Sequence, residues 1–273
     1  MDRRMFLGTL AGAVVGRRWL AAAADDRKIN HLGVQLYTVR AAMEKDFEGT
    51  LAKVAAIGYR EVEFAGLFNH PAPQVKAMLR RNGLVAVSSH VDYGVLAKDW
   101  PRTLEAAKIM GQGFIVCPWI EEKLRNAEGL KRVAETFNRA GEASRKLGIQ
   151  FAYHNHDFEF QPVAGKLLYD SLLDQTDSHL VKMEMDLFWI TKAGKDPLAY
   201  FDRYRGRFPL VHVKDRTPSG EMTEVGSGAI DWKRIFRQSD QAGIQYYIVE
   251  HDEPKSPFDS IRTSYSYLSD FRF

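Results

Sequence analysis

From Asn30 to the C-terminus, short apolar or alternating runs take turns with longer stretches whose apolar positions recur at helical spacing. The runs predict strands over His31–Val39, Tyr59–Phe64, Val85–His90, Phe114–Pro118, Gln150–His156, Val181–Asp186, Phe208–Lys214 and Gln245–His251. The amphipathic stretches predict helices over Phe47–Ile57, Pro73–Arg81, Pro101–Met110, Leu130–Leu147, Leu167–Gln175, Pro197–Tyr204, Trp232–Ala242 and Phe258–Phe271. Gly58, Gly83, Gly111, Gly148 and Gly243 each stand just ahead of a predicted strand, where a helix ends. Strand–helix alternation implies a parallel sheet, and eight such units in about 245 residues match a single (β/α)8 TIM barrel of the α/β class. An open doubly wound sheet would need a glycine-rich phosphate turn after the first strand. Gln35-Leu36-Tyr37-Thr38-Val39-Arg40 stands there instead.

Neighbours along a strand point to opposite faces, so an apolar face packed on helices assigns its partner face to the barrel interior. Val181, Met183 and Met185 turn Lys182, Glu184 and Asp186 inward; Val211 and Val213 do the same for His212 and Lys214. Tyr247 and Val249 leave Ile248 and Glu250 inside, and Val62 and Phe64 leave Glu63 inside. With Val85 and Val87 outward, His90 faces in; with Leu32, Val34 and Leu36 outward, Gly33, Gln35 and Tyr37 line the interior. The fifth run does not decide. Asn155 shares a face with Phe151 and Tyr153, while His154 and His156 share one with Ala152.

Most of the chemistry collects in Tyr153-His154-Asn155-His156-Asp157-Phe158-Glu159-Phe160, two imidazoles, an amide and two carboxyls directly after an apolar run. Each inward polar group sits at the C-terminal end of its strand, and in a barrel those ends surround one mouth. Glu63, His90, Asn155 or His156, Asp186, His212 and Glu250 therefore converge. Burying so many ionisable groups without a partner is costly, and a divalent cation is the economical partner. Carboxylate oxygens with one imidazole suit manganese best, with magnesium, cobalt or zinc as alternatives. The single cysteine, Cys117, excludes an intramolecular disulfide and any multi-cysteine metal site.

Residues 1–24 look like a removable export signal. Arg3-Arg4-Met5-Phe6-Leu7, an apolar run and the alanines Ala21 to Ala24 point to the twin-arginine route and a periplasmic destination, with the barrel over residues 25–273. The apolar run is too short for a membrane span, so no stable insertion is expected after cleavage. Four arginines against Asp2 give this segment a net charge equal to the formal +3 of the whole chain, which leaves the remainder near zero. A nucleic-acid groove needs a basic surplus in the folded part, and none is left.

The chain resembles the xylose-isomerase-like barrel superfamily, which holds sugar phosphate isomerases and epimerases and the AP endonuclease family 2 barrels. The resemblance is carried by Gly33–Arg40, Gly58–Gly66, Tyr153–Phe160, Val181–Trp189, Val211–Asp215, Val225-Gly226-Ser227-Gly228 and Ile248-Val249-Glu250. It implies one metal held by a Glu, an Asp, a His and a second Glu from the fifth to eighth strands. Asp186, His212 and Glu250 stand where the last three are expected, and the first falls on Asn155; Glu184 or His156 are the alternatives. The extra histidine of the three-zinc endonucleases falls on Trp189, and the loop Thr217–Ile230 has no histidine, which argues against a nuclease.

The resemblance also implies proton removal next to a carbonyl through an enediolate, hence a sugar isomerase or epimerase. Glu159, Glu250, His156 and Glu184 are the candidates for moving the proton. Tyr37, Glu63, His90, Trp119, Trp189, Lys214 and Arg216 are the candidates for binding a small carbohydrate, although Lys214-Asp215 reads equally as an ion pair and the aromatics as core. Two alternatives stay open: a lyase cleaving 3-keto-glycosides by β-elimination on the same metal, and a sugar-binding barrel without catalysis. A homo-oligomer is compatible with all three.

Overall fold

The computed structural model describes residues 26–273, and the candidate export signal lies outside the described residues. Eight parallel strands form one sheet: β1 (Leu32–Gln35), β2 (Glu61–Phe64), β3 (Val85–Ser89), β4 (Phe114–Cys117), β5 (Gln150–His154), β6 (Val181–Asp186), β7 (Leu210–Val213) and β8 (Tyr246–Val249). Their order is β3-β2-β1-β8-β7-β6-β5-β4. The circle closes where His90 bridges Val116 and the Val91 N–H donates to the Val116 carbonyl. A helix follows each strand: Phe47–Ile57, Ala72–Arg81, Trp100–Met110, Ala127–Arg145, Leu168–Gln175, Pro197–Arg203, Trp232–Phe236 and Pro257–Ser269. The fold is the (β/α)8 barrel that the alternation predicts. Among the described residues, no helix is long and apolar enough to cross a membrane.

Most strands stop short of their predicted C-terminal ends, because the polar residues there leave the ladder for loops. After Gln35 the chain tightens into a 3₁₀ turn over Leu36–Val39, held by the Tyr37 N–H donating to the Gln35 side chain. Predicted helix Trp232–Ala242 is two pieces, Trp232–Phe236 and Ser239–Ala242. Ser239 Oγ donates to the Phe236 carbonyl and accepts from Tyr247 OH, which ends the first piece.

Two apolar layers follow from strand parity. The larger lies between sheet and helices and takes Val34, Val62, Phe151, Tyr153, Val181, Met183, Met185, Val211, Val213 and Val249. The smaller fills the barrel with Val87, Phe114, Val116, Ala152, Leu210 and Ile248. Ala152, Leu210 and Ile248 each stand two residues before a polar inward group, so ionisable side chains lie directly above an apolar plug. Val87 is a correction: it faces the interior. Glu61 pairs with Val85 and Val62 with Ala86, but Glu63 pairs with Ser88, so Val87 is an extra residue in the ladder. This bulge resets the parity and sends both Ser88 and His90 inward.

Phe151 is fully buried between Phe137 and Trp100 on the sheet–helix side. Phe151→Ala is expected to cost about 3–5 kcal/mol, read as a lower urea midpoint with an unchanged slope.

Candidate active site

The polar layer is organised around His212, which is fully buried. Its Nε2 stands 2.7 Å from Glu63 Oε1 and 3.2 Å from Glu184 Oε2, and its Nδ1 stands 2.9 Å from Glu250 Oε2. Strand parity contributes to this meeting: Glu63 of β2, Glu184 of β6, His212 of β7 and Glu250, just past the end of β8, all face inward. Toward β3 and β5, Glu184 Oε2 also meets His90 Nε2 at 2.8 Å and His154 Nδ1 at 3.0 Å. Gln35 Nε2 and Ser88 Oγ donate to the Glu63 carboxylate from β1 and β3.

A second group lies nearer the mouth. Lys214 Nζ, buried at the end of β7, is 2.6 Å from Glu250 Oε2, 3.0 Å from Asp186 Oδ2 and 2.7 Å from Asp252 Oδ1. The Asp186 contact lacks hydrogen-bond alignment, so this buried oxygen has no hydrogen-bond partner; Glu184 Oε1 has none either. Ligand atoms of Asp186, His212 and Glu250 all lie within 4.8 Å of one another, as do those of His90, His154, Glu184 and His212. Both sets fit a divalent cation, since they join carboxylates to imidazoles and hold oxygens without partners.

Electrostatics follow from burial and crowding. Burial opposes ionisation of Glu63, yet the His90 and His212 charges hold it well below the ordinary carboxylate range. Burial likewise opposes charge on His90, and Glu63 with Glu184 overcomes it to about 10. Burial and the neighbouring Glu63 push Glu184 up to about 7. Burial and the Lys214 charge push His156 down to about 3, so its ring is neutral.

Above these groups opens a cavity of about 770 Å³, with His90, His154, His156, Lys214 and Glu250 on its floor and Tyr37 and Trp119 at its rim. Both rim aromatics are well exposed, at 40% and 44%. Arg40 lies 3.9 Å over the Tyr37 ring, and Arg125 lies 4.6 Å over Trp119.

Residues 51–270 match the model of the xylose isomerase-like TIM barrel family. The chain belongs to this family. Within it, an inosose dehydratase of Lacticaseibacillus casei is 25% identical over 272 residues, covering 82% of this chain and 89% of the relative. A solved sugar phosphate isomerase/epimerase from Parabacteroides distasonis is 27% identical with a TM-score of 0.79, covering 89% of this chain and 94% of its own. A zinc-bound IOLI protein has a TM-score of 0.66 at 13% identity, covering 86% and 95%, a likeness of fold alone.

This xylose isomerase-like barrel places the sequence-predicted residues unevenly. His90, His156, Lys214, Glu250, Tyr37 and Trp119 line the cavity, while Glu63, Glu184, Asp186 and His212 lie behind its floor. Asn155 is fully buried with its amide committed to backbone: Oδ1 accepts from the Asp186 N–H at 3.1 Å, and Nδ2 donates to the His156 carbonyl. The fifth-strand residue that points into the cluster is His154, marked in sequence only by sharing its face with Ala152. Glu159 sits on the helix side of the wall, where it accepts from Tyr153 OH and, at 2.8 Å, from the His156 N–H. Trp189 lies outside the cavity lining but brings its ring 5.6 Å from that of His156. Arg216 belongs to a small ribbon with Met222 and also lies outside the lining.

The Lys214-Asp215 ion pair read from sequence is corrected, because the two side chains point to opposite faces. Lys214 serves Asp186, Glu250 and Asp252, whereas Asp215 accepts from the N–H groups of Gly226, Gly228 and Ile230 and from Trp232 Nε1. A Cβ at Gly228 would come 2.1 Å from Asp215 Oδ1, which explains the glycine there.

Burial raises the Glu159 carboxyl from 4.5 to about 8. A carboxyl protonated in the fold but ionised in the unfolded chain makes unfolding easier as pH rises between those two values. Stability is therefore expected to fall over that window, by up to about 1.4 kcal/mol per pH unit from this group. Glu159→Gln should remove this part of the slope, checked by urea midpoints between pH 5 and 8.

Proposed function

We propose that this barrel is a metal-dependent lyase, which removes a proton next to the carbonyl of a polyhydroxy ketone and expels the oxygen on the β-carbon. The observation that carries the reading is the cavity floor, where neutral His156 and the Lys214 ammonium flank the Asp186–His212–Glu250 group. The inosose dehydratase relatives favour loss of water over isomerisation. A cleavable 3-keto-glycoside is the same reaction with an alkoxide as leaving group.

In this reading Asp186, His212 and Glu250 hold the cation, with His154 Nε2, 3.8 Å from Asp186 Oδ2, as the fifth-strand donor in place of Asn155. A bound divalent cation supplies Lewis-acid stabilisation of the enolate oxygen. His156 accepts the α-proton at a ring nitrogen. The resulting imidazolium, disfavoured by burial and by the Lys214 charge, returns the proton to the departing β-oxygen, and water or an alcohol leaves. Lys214 keeps its proton and donates a hydrogen bond to a substrate oxygen. Trp119 and Tyr37 give a carbohydrate ring apolar faces to lie on. Export to the periplasm, where free sugars and glycosides are met, is part of the same proposal.

A second reading, sugar isomerase or epimerase, is favoured by the Parabacteroides distasonis structure. Chelated protein reloaded with manganese or zinc, given inosose, 3-keto sugars and 3-keto-glycosides in deuterated water, separates the two. The expected product is an unsaturated ketone seen by its ultraviolet absorbance, with water or alcohol released. Asp186→Asn and His156→Ala are each expected to lower turnover by about 10²-fold or more. Deuterium incorporation with every oxygen retained would replace the lyase by an epimerase. Sugar binding without turnover under any metal would leave only a binding barrel.

A further inference from the structure

The cavity above the floor continues past its rim. Asp92, Val95 and Trp119 line it and also line a groove of about 520 Å³, whose other walls include Tyr93, Lys98 and Glu121. Trp119 is the joint between the two. Its ring meets that of His156 edge-on at 4.9 Å and that of Phe158 at 4.7 Å, with Arg125 over it, so it is held in place while 44% of the residue stays open. Asp92 stands at the N-cap of helix Tyr93–Lys98 without making the usual capping hydrogen bond, and it is exposed where the cavity and the groove meet.

The direction of bond breaking decides which part of a substrate enters the groove. In the proposed lyase, on which this inference rests, His156 returns a proton to the oxygen that leaves the β-carbon. Whatever is bonded to that oxygen starts beside His156. Of the tryptophan and phenylalanine rings packed on His156, Trp119 is the one that lines the cavity. A departing water needs no room beyond it. The cavity alone, at about 770 Å³, already lies toward the upper end of the roughly 300–1,000 Å³ that small-molecule sites occupy, so the groove is surplus to a single keto ring. Its lining selects a polar occupant. Asp92, Lys98 and Glu121 lose hydration under an apolar ring and regain hydrogen bonds under a hydroxylated one, while Trp119 offers a flat face to the C–H side of a sugar. A more apolar hollow of about 220 Å³, with Leu67, Met110 and Ile115 in its wall, adjoins the cavity at His90 and Thr103 but touches neither His156 nor Trp119.

We propose that the groove beside Trp119 is a subsite for a second, uncharged sugar ring, so that the substrate is a disaccharide or longer glycoside whose glycosidic oxygen is β to the ketone. Elimination breaks the α-carbon–hydrogen and β-carbon–oxygen bonds and forms a carbon–carbon double bond conjugated with the ketone. The second sugar leaves as an alcohol with the proton that His156 carried.

The test compares affinities in the absence of turnover. Chelated protein is titrated by calorimetry with a 3-keto-disaccharide, the matching methyl 3-keto-glycoside and the matching phenyl 3-keto-glycoside. The disaccharide is expected to bind about 10-fold more tightly than the methyl glycoside. Asp92→Ala and Trp119→Ala are each expected to abolish most of that preference, Asp92→Ala with methyl-glycoside affinity unchanged, and Trp119→Phe to keep most of it. Equal affinity for disaccharide and methyl glycoside, or a preference untouched by both alanine variants, would overturn the proposal. Binding of none of the three would overturn it as well, and tightest binding of the phenyl glycoside would replace it with an aromatic leaving group. Manganese-loaded protein answers separately for the chemistry. A disaccharide that binds with the expected preference but releases no alcohol would sink the lyase reading and leave the subsite standing.

Discussion

The structure depends on charge neutrality inside an apolar tube. Above a plug of Val87, Phe114, Val116, Ala152, Leu210 and Ile248, carboxylates from β2 and β6 and from the end of β8 are buried with little or no access to water. Unpaired, each would be driven to protonate or to open the barrel. His212 prevents this by touching Glu63, Glu184 and Glu250 at once. Lys214 does the same one layer up for Asp186, Glu250 and Asp252. The interior is thus a stack of acids separated by cations and imidazoles, and that stack makes it a reactive place rather than a packed core.

Much of this is legible in the amino-acid sequence. Alternation of strands and helices sufficed for the barrel, because each amphipathic element has one way to bury its apolar face. Parity along β6, β7 and β8 correctly turned Glu184, Asp186, His212 and Lys214 inward. Those strands carry unbroken Val, Met or Tyr faces, and period-two reasoning is strongest there. The structure brings ligand atoms of Asp186, His212 and Glu250, the three residues that the resemblance singles out, within 4.8 Å of one another.

What escaped the sequence was local and had physical causes. The fifth strand ends polar on both faces, so its alternation does not rank Asn155 against His154. The ranking comes from the Asp186 N–H, which claims the Asn155 oxygen. Glu159 looked catalytic by company, yet its hydrogen bonds to Tyr153 and His156 place it behind the wall, a fact of three-dimensional packing. Asp215 looked like the counter-ion of its neighbour until its loop of backbone amides was seen.

The extra residue in β3 has a consequence for comparing relatives. Were the strand straight from Val85 onward with every residue kept, Ser88 and His90 would share the face of Ala86 and point toward the helices. An imidazole in this place is consequently tied to a specific irregularity as much as to a residue type. Homologues with a straight third strand would have to deliver an equivalent ring from a position one step away, where a column-by-column alignment would miss it.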